Sequence, residues 1–535
     1  MEHTAPLPEW SMYAILAAQG IIYTVAVVII AKAKGRSAEA FLSGGRDIGH
    51  GMINASIVAT WIWAATLMIS SWTGFSYGFT GPWWYAAGAT IPLPCMAYIG
   101  KQIKIIMPKA TSYPEFVLFR SDKKNHLLHS IITIIVCLWV TLMIITGGGV
   151  MLHAFTGAPF WIIAVLMTII FISYISFAGL WASIFADTVM CLVMYACLLI
   201  IVWTVVIKIG PSAIYEGLIN VINTKPNLQP GAPIEVLEAQ WDPLNWFNTA
   251  GLGFLIVNTI GNLGAVLCNQ TYWSRMTGSA DPYIAWRSFM TAAFCWWPIP
   301  FATATALGVG GLSMGLTVGE TYTSPTGVGM LFTEPTAVAP MTAFVVLGYL
   351  GLIMFVVAVG GATISTGAGE ILAVVTVLVN DLYRGYINPK ASDAKVLSLS
   401  RLFLVVVGIF LLAIVIYWRA IGFTFSGMYQ AMGVAFSSAV IPIWMFCFYK
   451  NTNKDGAFWA TIIGGIIGIL YWVLVADMDL LWGVVWANII VMGVSAVILI
   501  PWTVISPQPF DFKSMKNSGF EYGSIDEMLV VTDDK

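Results

Sequence analysis

Long apolar stretches recur along the whole chain, with short polar segments between them. About 20 apolar residues in a helix span the roughly 30 Å hydrocarbon core of a bilayer. The stretches lack the strict polar–apolar alternation of membrane-barrel strands and are longer than such strands. The pattern therefore predicts an all-α polytopic membrane protein. Spans are expected near residues 10–31, 51–73, 81–101, 130–155, 159–178, 183–208, 245–268, 286–311, 341–380, 400–418, 423–449, 457–476 and 482–504, about 13 in all.

Composition supports the membrane assignment and narrows the function. Of the 535 residues, 59% are hydrophobic and 9% are charged, whereas a soluble domain has about 25% charged residues. The net charge of −2 gives no indication of a nucleic-acid partner. The seven cysteines form no Cys-x-x-Cys pair, and the five histidines lie mostly between spans. We expect a transporter or channel embedded in the lipid bilayer of the plasma membrane, and not an enzyme.

The distribution of positive charge predicts the orientation. With the N-terminus outside and the C-terminus inside, the cytoplasmic segments contain all of the 24 Lys and Arg residues except Lys208, Lys225 and Arg419. The apolar run 341–380 is long enough for two crossings. It follows a segment without basic residues and precedes Arg384 and Lys390, so we expect one long tilted helix there.

Few ionisable or paired polar groups lie inside the predicted spans, and such groups are often functional. They are Asp187, Asn258, Asn262, Ser365, Thr366, Glu370 and Gln430. Each also has a structural interpretation. Hydroxyls can bond to their own helix, and Asn pairs can join helices. Asp187 can be a helix-start residue near the inner interface, and Glu370 can pair with a basic residue near the cytoplasmic face. Hydroxyls and backbone carbonyls at a helix break suit a hard cation, although spacing alone does not prove such a site.

Several motifs resemble the sodium:solute symporter family in their order and spacing, over about residues 36–475. They are Phe41-Leu42-Ser43-Gly44-Gly45-Arg46, Thr111-Ser112-Tyr113-Pro114-Glu115-Phe116, Ala362-Thr363-Ile364-Ser365-Thr366 and Asp381-Leu382-Tyr383-Arg384. The resemblance implies the five-plus-five inverted-repeat (LeuT-like) fold with one extra helix before it and two after it. The expected segments are 1–50 (extra helix and loop), 51–208 (first repeat), 209–244 (outer loop), 245–449 (second repeat), 450–506 (two helices) and 507–535 (cytoplasmic tail).

The resemblance also implies a Na⁺ site. Its ligands would be carbonyls of Ala59, Ile62 and Ala362 and hydroxyls of Ser365 and Thr366, with Asp187 nearby. In the family's proton-coupled plant urea members, the pair at the position of Ser365-Thr366 resembles Ser-Ala. The additional hydroxyl here therefore favours Na⁺ over H⁺ as the coupling ion.

Within the family, the chain is most similar to the urea/polyamine branch. The residues that carry this likeness are 61–67, 81–90, 261–264, 383–389 and 428–434. Trp84 and Trp296 replace the Glu and Lys that hold sugar in the family's sugar carriers, so a sugar substrate is not expected. A solute site is predicted at Trp61, Trp63, Thr66, Trp84, Asn258, Asn262, Trp296 and Gln430.

The leading hypothesis is Na⁺-coupled import of urea or a urea-like amide by alternating access, with Na⁺ as the co-transported ion. Tryptophan faces would cover a flat solute while amide side chains meet its edge. The alternatives are an amine or polyamine symporter, whose cation would contact the same tryptophans, and a proton-coupled or channel-like urea permease. The sequence leaves the oligomeric state open.

Overall fold

The computed structural model describes residues 5–34, 37–224, 242–422, 425–475 and 482–519. Eleven helices in this part of the chain are long and apolar enough to cross a membrane, and a bent pair makes twelve. The polytopic all-α architecture is therefore confirmed, whereas the count of 13 and the orientation stay predictions. Residues 225–241 of the predicted outer loop 209–244 and the tail after residue 519 lie outside the described residues.

The first predicted repeat consists of helices whose lengths match membrane spans or halves of spans. Two helices, α1 (Glu9–Lys34) and α2 (Ala38–Ser43), precede it. The repeat then contains α3 (His50–Trp61), α4 (Ala64–Tyr77), α5 (Thr80–Thr90), α6 (Pro92–Ile106), α7 (Tyr113–Arg120), α8 (Lys123–Thr156), α9 (Phe160–Ala178) and α10 (Leu180–Ile209).

The first span of this repeat is broken. Helices α3 and α4 meet at an angle of 53°, because Ile62 and Trp63 leave the helical conformation. The Thr66 hydroxyl accepts a hydrogen bond from the Trp63 amide (3.1 Å) and donates to the Trp61 carbonyl (3.0 Å). A side-chain oxygen at this position satisfies backbone groups that a helix end leaves unpaired. One threonine therefore stabilises both sides of the break.

The second predicted repeat follows the amphipathic helix α11 (Pro211–Thr224) and the segment 242–248. Its helices are α12 (Thr249–Leu267), α13 (Gln270–Gly278), α14 (Pro282–Trp296), α15 (Pro298–Thr303), a π-helical turn (Ala304–Val309), α16 (Gly310–Ser313), α17 (Val338–Leu347), α18 (Tyr349–Thr376), its π-helical continuation (Val377–Ile387), α19 (Asp393–Ala420), α20 (Phe425–Phe436) and α21 (Val440–Phe448). A small antiparallel hairpin, β1 (Thr321–Thr323) and β2 (Gly329–Leu331), lies between α16 and α17 with Tyr322 opposite Met330.

The first span of the second repeat is broken as well, between α12 and α13. Cys268 and Asn269 separate the two helices, and the Asn269 side chain accepts a hydrogen bond from the Thr271 amide (2.7 Å). Asn is among the preferred residues at a helix start. Both repeats thus begin with an interrupted helix, as in transporters whose binding sites lie at such breaks.

Two predicted spans have different boundaries in the structure. The span 81–101 is divided into α5 and α6, because Pro92 has no amide hydrogen to continue the hydrogen-bond ladder. The single long helix predicted over 341–380 begins only at Tyr349 and reaches Ile387. Gly348 (φ 66°) separates it from α17, and glycine adopts such a backbone readily because it has no Cβ.

The C-terminal part consists of α22 (Lys454–Val475) and α23 (Trp482–Ile505), which pack against each other. The segment after α23 returns to the loop between α21 and α22, where the Phe510 amide donates to the Lys450 carbonyl (2.9 Å). A 3₁₀ turn, Phe512–Asn517, then packs on α6 and α7. The first residues of the predicted tail are therefore docked on the protein.

Candidate cation and solute site

The candidate cation site is built around the fully buried carboxylate of Asp187, on α10. One of its oxygens accepts from the Ser365 hydroxyl of α18 (2.6 Å). The other accepts from the Ser56 hydroxyl of α3 (2.5 Å) and lies 3.4 Å from the Thr60 hydroxyl. Asp187 thus joins three helices, α3, α10 and α18, at the end of α3 that leads into the first break.

Of the two hydroxyls predicted to bind Na⁺, one contacts the last turn of α3 and the other contacts Asp187. The Thr366 hydroxyl donates to the Thr60 carbonyl (3.0 Å), while Ser365 contacts Asp187. Ala362 lies one turn before Thr366 on the same face of α18. The structure brings α18 against the helix end that contains Ala59 and Ile62. Oxygen donors from hydroxyls and backbone carbonyls, beside one carboxylate, suit a hard monovalent cation.

Arg275 is a charged residue whose position the sequence analysis assigned incorrectly. We expected it in a cytoplasmic loop, but it is fully buried on α13 and forms an ion pair with Asp187 (2.9 Å). Its guanidinium also donates to the hydroxyls of Ser56 (3.0 Å) and Ser183 (3.2 Å). The cause is the second helix break, which returns residues 270–278 into the protein interior. Asp187 therefore has a charged partner that the spans alone did not reveal.

Three of the predicted tryptophans form one buried cluster at the first break. The Trp61 ring lies 5.0 Å from the Trp63 ring and 6.0 Å from the Trp296 ring, measured between centroids. The Trp61 indole donates to the Ala89 carbonyl (2.9 Å), and the Trp296 indole donates to the Trp61 carbonyl (2.8 Å). Tyr272, from α13, packs edge-on against Trp61. The cluster thus connects both broken helices with α5 and α14.

The predicted pair Asn258 and Asn262 belongs to a second polar network beside the same helix α5. The Asn258 amide donates to the Tyr85 carbonyl (2.7 Å), one turn before Ala89. Asn262 donates to the Asn258 side chain (2.7 Å), which also accepts a short hydrogen bond from the Tyr429 hydroxyl. The aromatic cluster and the amide network therefore meet α5 on successive turns, which places them on adjoining sides of one region.

The remaining predicted solute residues have distinct positions. The Thr66 hydroxyl is engaged at the first break, as described above. The Trp84 indole donates to the Trp246 carbonyl (2.8 Å) and its ring packs on Phe247, so it contacts the segment before α12. Gln430 is half-buried next to Tyr429. The structure does not join Trp84 to the Trp61 cluster through a ring contact among the described residues, and its solute role stays a prediction.

Sequence reasoning missed three contributors besides Arg275: Tyr85, Asn269 and Tyr429. Tyr85 and Tyr429 lie inside the motifs 81–90 and 428–434, but their residue type is unremarkable in a membrane helix, and Asn269 lies just outside the predicted span 245–268. The signal that was available was the position of Asn269 and Arg275 just after the glycine-rich seventh span, where a helix break changes the direction of the chain. Only the packed structure shows what these side chains face.

The fold and the two interrupted helices define the class of this protein as an inverted-repeat transporter. A family model described as "Sodium:solute symporter family" matches residues 41–464. The chain belongs to the sodium:solute symporter family, which confirms the family resemblance found in the sequence. Its helices place it in the membrane as a multi-pass integral protein.

Similar proteins include urea transporters. The chain is 30% identical to the "Urea-proton symporter DUR3" of Oryza sativa subsp. japonica over 83% of this chain and 61% of that protein. It is 26% identical to the "Urea active transporter" of Saccharomyces cerevisiae over 96% of this chain and 72% of the relative. The chain thus spans less than two thirds of the length of the rice relative.

Among solved structures, the chain is similar to a Na⁺-coupled sialic acid symporter in a substrate-bound, outward-open state. The TM-score is 0.71 with 18% sequence identity, covering 93% of this chain and 99% of that one. A likeness at this identity shows the fold, and it confirms the inverted-repeat architecture expected from the sequence.

Proposed function

We propose that this protein is a Na⁺-coupled symporter that imports urea or a similarly small amide. The observation that carries the proposal is that, next to the first helix break, the Thr366 hydroxyl contacts the end of α3 while the neighbouring Ser365 hydroxyl contacts Asp187. A cation at this position would contact α18 and α3 at once. Its binding would therefore stabilise one arrangement of these helices, which is the basis of coupling in alternating access.

The solute would bind on the other side of the same break. The Trp61 cluster offers flat aromatic faces, and the adjoining network of Asn258, Asn262 and Tyr429 offers amide and hydroxyl groups. Urea has one carbonyl acceptor and two NH₂ donors, so it complements amides and hydroxyls that can both donate and accept. The names of the rice and yeast relatives support urea as the first solute to test.

An amine or polyamine is the alternative solute, because the same tryptophans would attract a cation. The polar groups identified beside the cluster are neutral amides and hydroxyls, which favours a neutral solute. A proton-coupled mechanism is the second alternative, since the rice relative is described as a urea–proton symporter. A channel-like permease, the third, would show neither gradient-driven accumulation nor saturation at low solute concentration.

Uptake into proteoliposomes tests the proposal directly. We expect labelled urea to accumulate above its external concentration under an inward Na⁺ gradient, and unlabelled amides to compete better than amines. Equal accumulation under a pH gradient without Na⁺ would replace Na⁺ by H⁺ as the coupling ion. Equilibration without accumulation under either gradient would identify a permease, and preferential competition by polyamines would overturn the choice of solute.

A further inference from the structure

Glu370 is a second buried carboxylate, and the proposed function does not use it. It lies on α18, one turn after Thr366, and it is fully buried. The sequence left its role open between function and pairing with a basic residue near the inner face. In the structure it faces the second helix break, where α12 ends and α13 begins.

The contacts of Glu370 are neutral. The Asn269 side-chain amide donates to both carboxylate oxygens, at 3.0 and 3.1 Å. The Cys137 thiol of α8 donates in turn to the Asn269 carbonyl oxygen (3.3 Å), which fixes the orientation of this amide. Within the described residues, no Lys, Arg or His nitrogen lies within ion-pair distance of Glu370. The pairing with a basic residue that we considered from the sequence is therefore not what the structure shows.

Glu370 and Asp187 share one positive charge. The ionisable side chains around Glu370 are Cys137 on α8, Tyr272 and Arg275 on α13, and Asp187 on α10 beyond Arg275. Arg275 forms its ion pair with Asp187. With both acids ionised, two carboxylates face one guanidinium, and the buried cluster of Asp187, Arg275 and Glu370 carries one net negative charge. An uncompensated charge in the membrane interior is costly, so one monovalent cation or one proton is needed to neutralise it.

We propose that Glu370 is a proton-binding site at the second helix break, and that its proton leaves when Na⁺ binds at the first break. Na⁺ beside Ser365, Thr366 and Asp187 supplies the missing positive charge, so Glu370 is then stable as a carboxylate held by Asn269. When Na⁺ is absent, a proton on Glu370 keeps the buried cluster of Asp187, Arg275 and Glu370 neutral. Among the described contacts, no hydrogen bond joins the Glu370 side chain to a predicted Na⁺ ligand, so the two events are coupled through charge.

This inference rests on the proposed Na⁺ site and has a quantitative consequence. If one proton is released for each Na⁺ bound, the apparent Na⁺ dissociation constant rises by about tenfold for each unit of falling pH, in the range where Glu370 is protonated without Na⁺. Na⁺ binding should then be strongest at high pH. The reciprocal effect also holds, so Na⁺ should promote proton release from the protein.

The test measures Na⁺ binding and proton release on the purified full-length protein without solute. Binding of ²²Na⁺ is followed at several pH values for the wild type, Glu370→Gln, Glu370→Asp and the control Asp455→Asn, which changes an exposed acid on α22. A pH-indicator dye in weak buffer reports protons released on Na⁺ addition. We expect pH-dependent binding and about one released proton in the wild type, Glu370→Asp and Asp455→Asn. Glu370→Gln should bind Na⁺ more weakly, without pH dependence or proton release.

Na⁺ binding that is independent of pH in the wild type, or an unchanged pH dependence in Glu370→Gln, overturns the proposal. If Glu370→Gln does not fold, proton release by the wild type and by Glu370→Asp still decides. A different result separates this inference from the proposed function. If the wild type binds no Na⁺ but shows urea uptake driven by a pH gradient, the Na⁺ assignment fails. Loss of that uptake in Glu370→Gln then keeps Glu370 as the proton site. If Glu370→Gln retains the uptake, the proton site is overturned together with the Na⁺ assignment.

Discussion

The two helix breaks lie in the first spans of the two repeats, yet their chemistry differs. At the first break, the Thr66 hydroxyl bonds to backbone groups that the helix end leaves unpaired, and the neighbouring α18 presents the hydroxyls of Ser365 and Thr366. At the second break, Asn269 both starts α13 and binds the carboxylate of Glu370. One break therefore gathers oxygen donors of the kind that suit a cation, while the other holds an acid through a neutral amide.

The difference shows how a single helix can serve both proposed sites. Helix α18 carries the hydroxyl pair and Glu370 one turn apart, so it faces the first break with one turn and the second break with the next. Arg275 comes from the second broken span but pairs with Asp187 beside the first. Substitutions at the two breaks should therefore have separable effects on ion binding, solute binding and stability.

The largest effect is expected from removing the hydroxyl pair. Ser365→Ala combined with Thr366→Ala should abolish Na⁺ stimulation of uptake, because two of the proposed ligands are lost while the helices remain packed. The measurement is initial urea uptake with and without a Na⁺ gradient. Thr376→Ala is the matched control, since that hydroxyl bonds only to the Leu372 carbonyl of its own helix as far as the described contacts show. A double variant with normal Na⁺ dependence would disprove the cation site.

Asp187→Asn should reduce both Na⁺ affinity and stability. Leaving Arg275 buried without its partner costs about 3–5 kcal/mol, and the negative charge beside the cation is lost as well. Thermal unfolding in detergent measures the first effect and ²²Na⁺ binding measures the second. Adding Arg275→Gln to Asp187→Asn should recover part of the stability without restoring Na⁺ affinity. If Asp187→Asn is as stable as the wild type, the ion pair with Arg275 does not contribute to the stability of the protein.

Asn262→Ala tests the solute side of the first break. Removing one partner of a buried hydrogen bond costs about 1–3 kcal/mol, so the half-saturation concentration for urea should rise by at least about fivefold. Na⁺ binding without solute should stay close to that of the wild type. Asn488→Ala is the control, because its amide donates to its own helix at Val484. Lower stability with an unchanged half-saturation value would instead make Asn262 a residue that joins helices.

The smallest effect is expected at Thr66. Thr66→Val removes the hydroxyl that bridges Trp61 and Trp63, which should lower stability by about 1 kcal/mol, the usual cost of a lost helix cap. Thr66→Ser keeps the hydroxyl and should restore most of the stability. Thermal unfolding of the two variants measures the difference. A large rise in the half-saturation concentration for urea with Thr66→Val, at unchanged stability, would assign Thr66 to the solute as the sequence analysis predicted.

The sequence determined the membrane class, most of the span positions and the family. It did so because burial in lipid requires long apolar helices, and because the motifs around Arg46, Pro114 and Asp381 occur in a specific order. It also identified Asp187, Ser365 and Thr366 as candidates, since ionisable and paired polar groups inside spans are few. The structure brings these three residues together with the end of α3.

Only the tertiary structure decided which charges are paired. Arg275 follows an apolar span and precedes a polar turn, so positive-charge counting assigned it to a loop; the break at Cys268–Asn269 places it in the interior instead. Glu370 meets Asn269, a residue 101 positions earlier in the chain. Periodicity and charge distribution describe one segment at a time. The partner of a buried charge depends on how distant helices pack, and the sequence contains that information only through the complete fold.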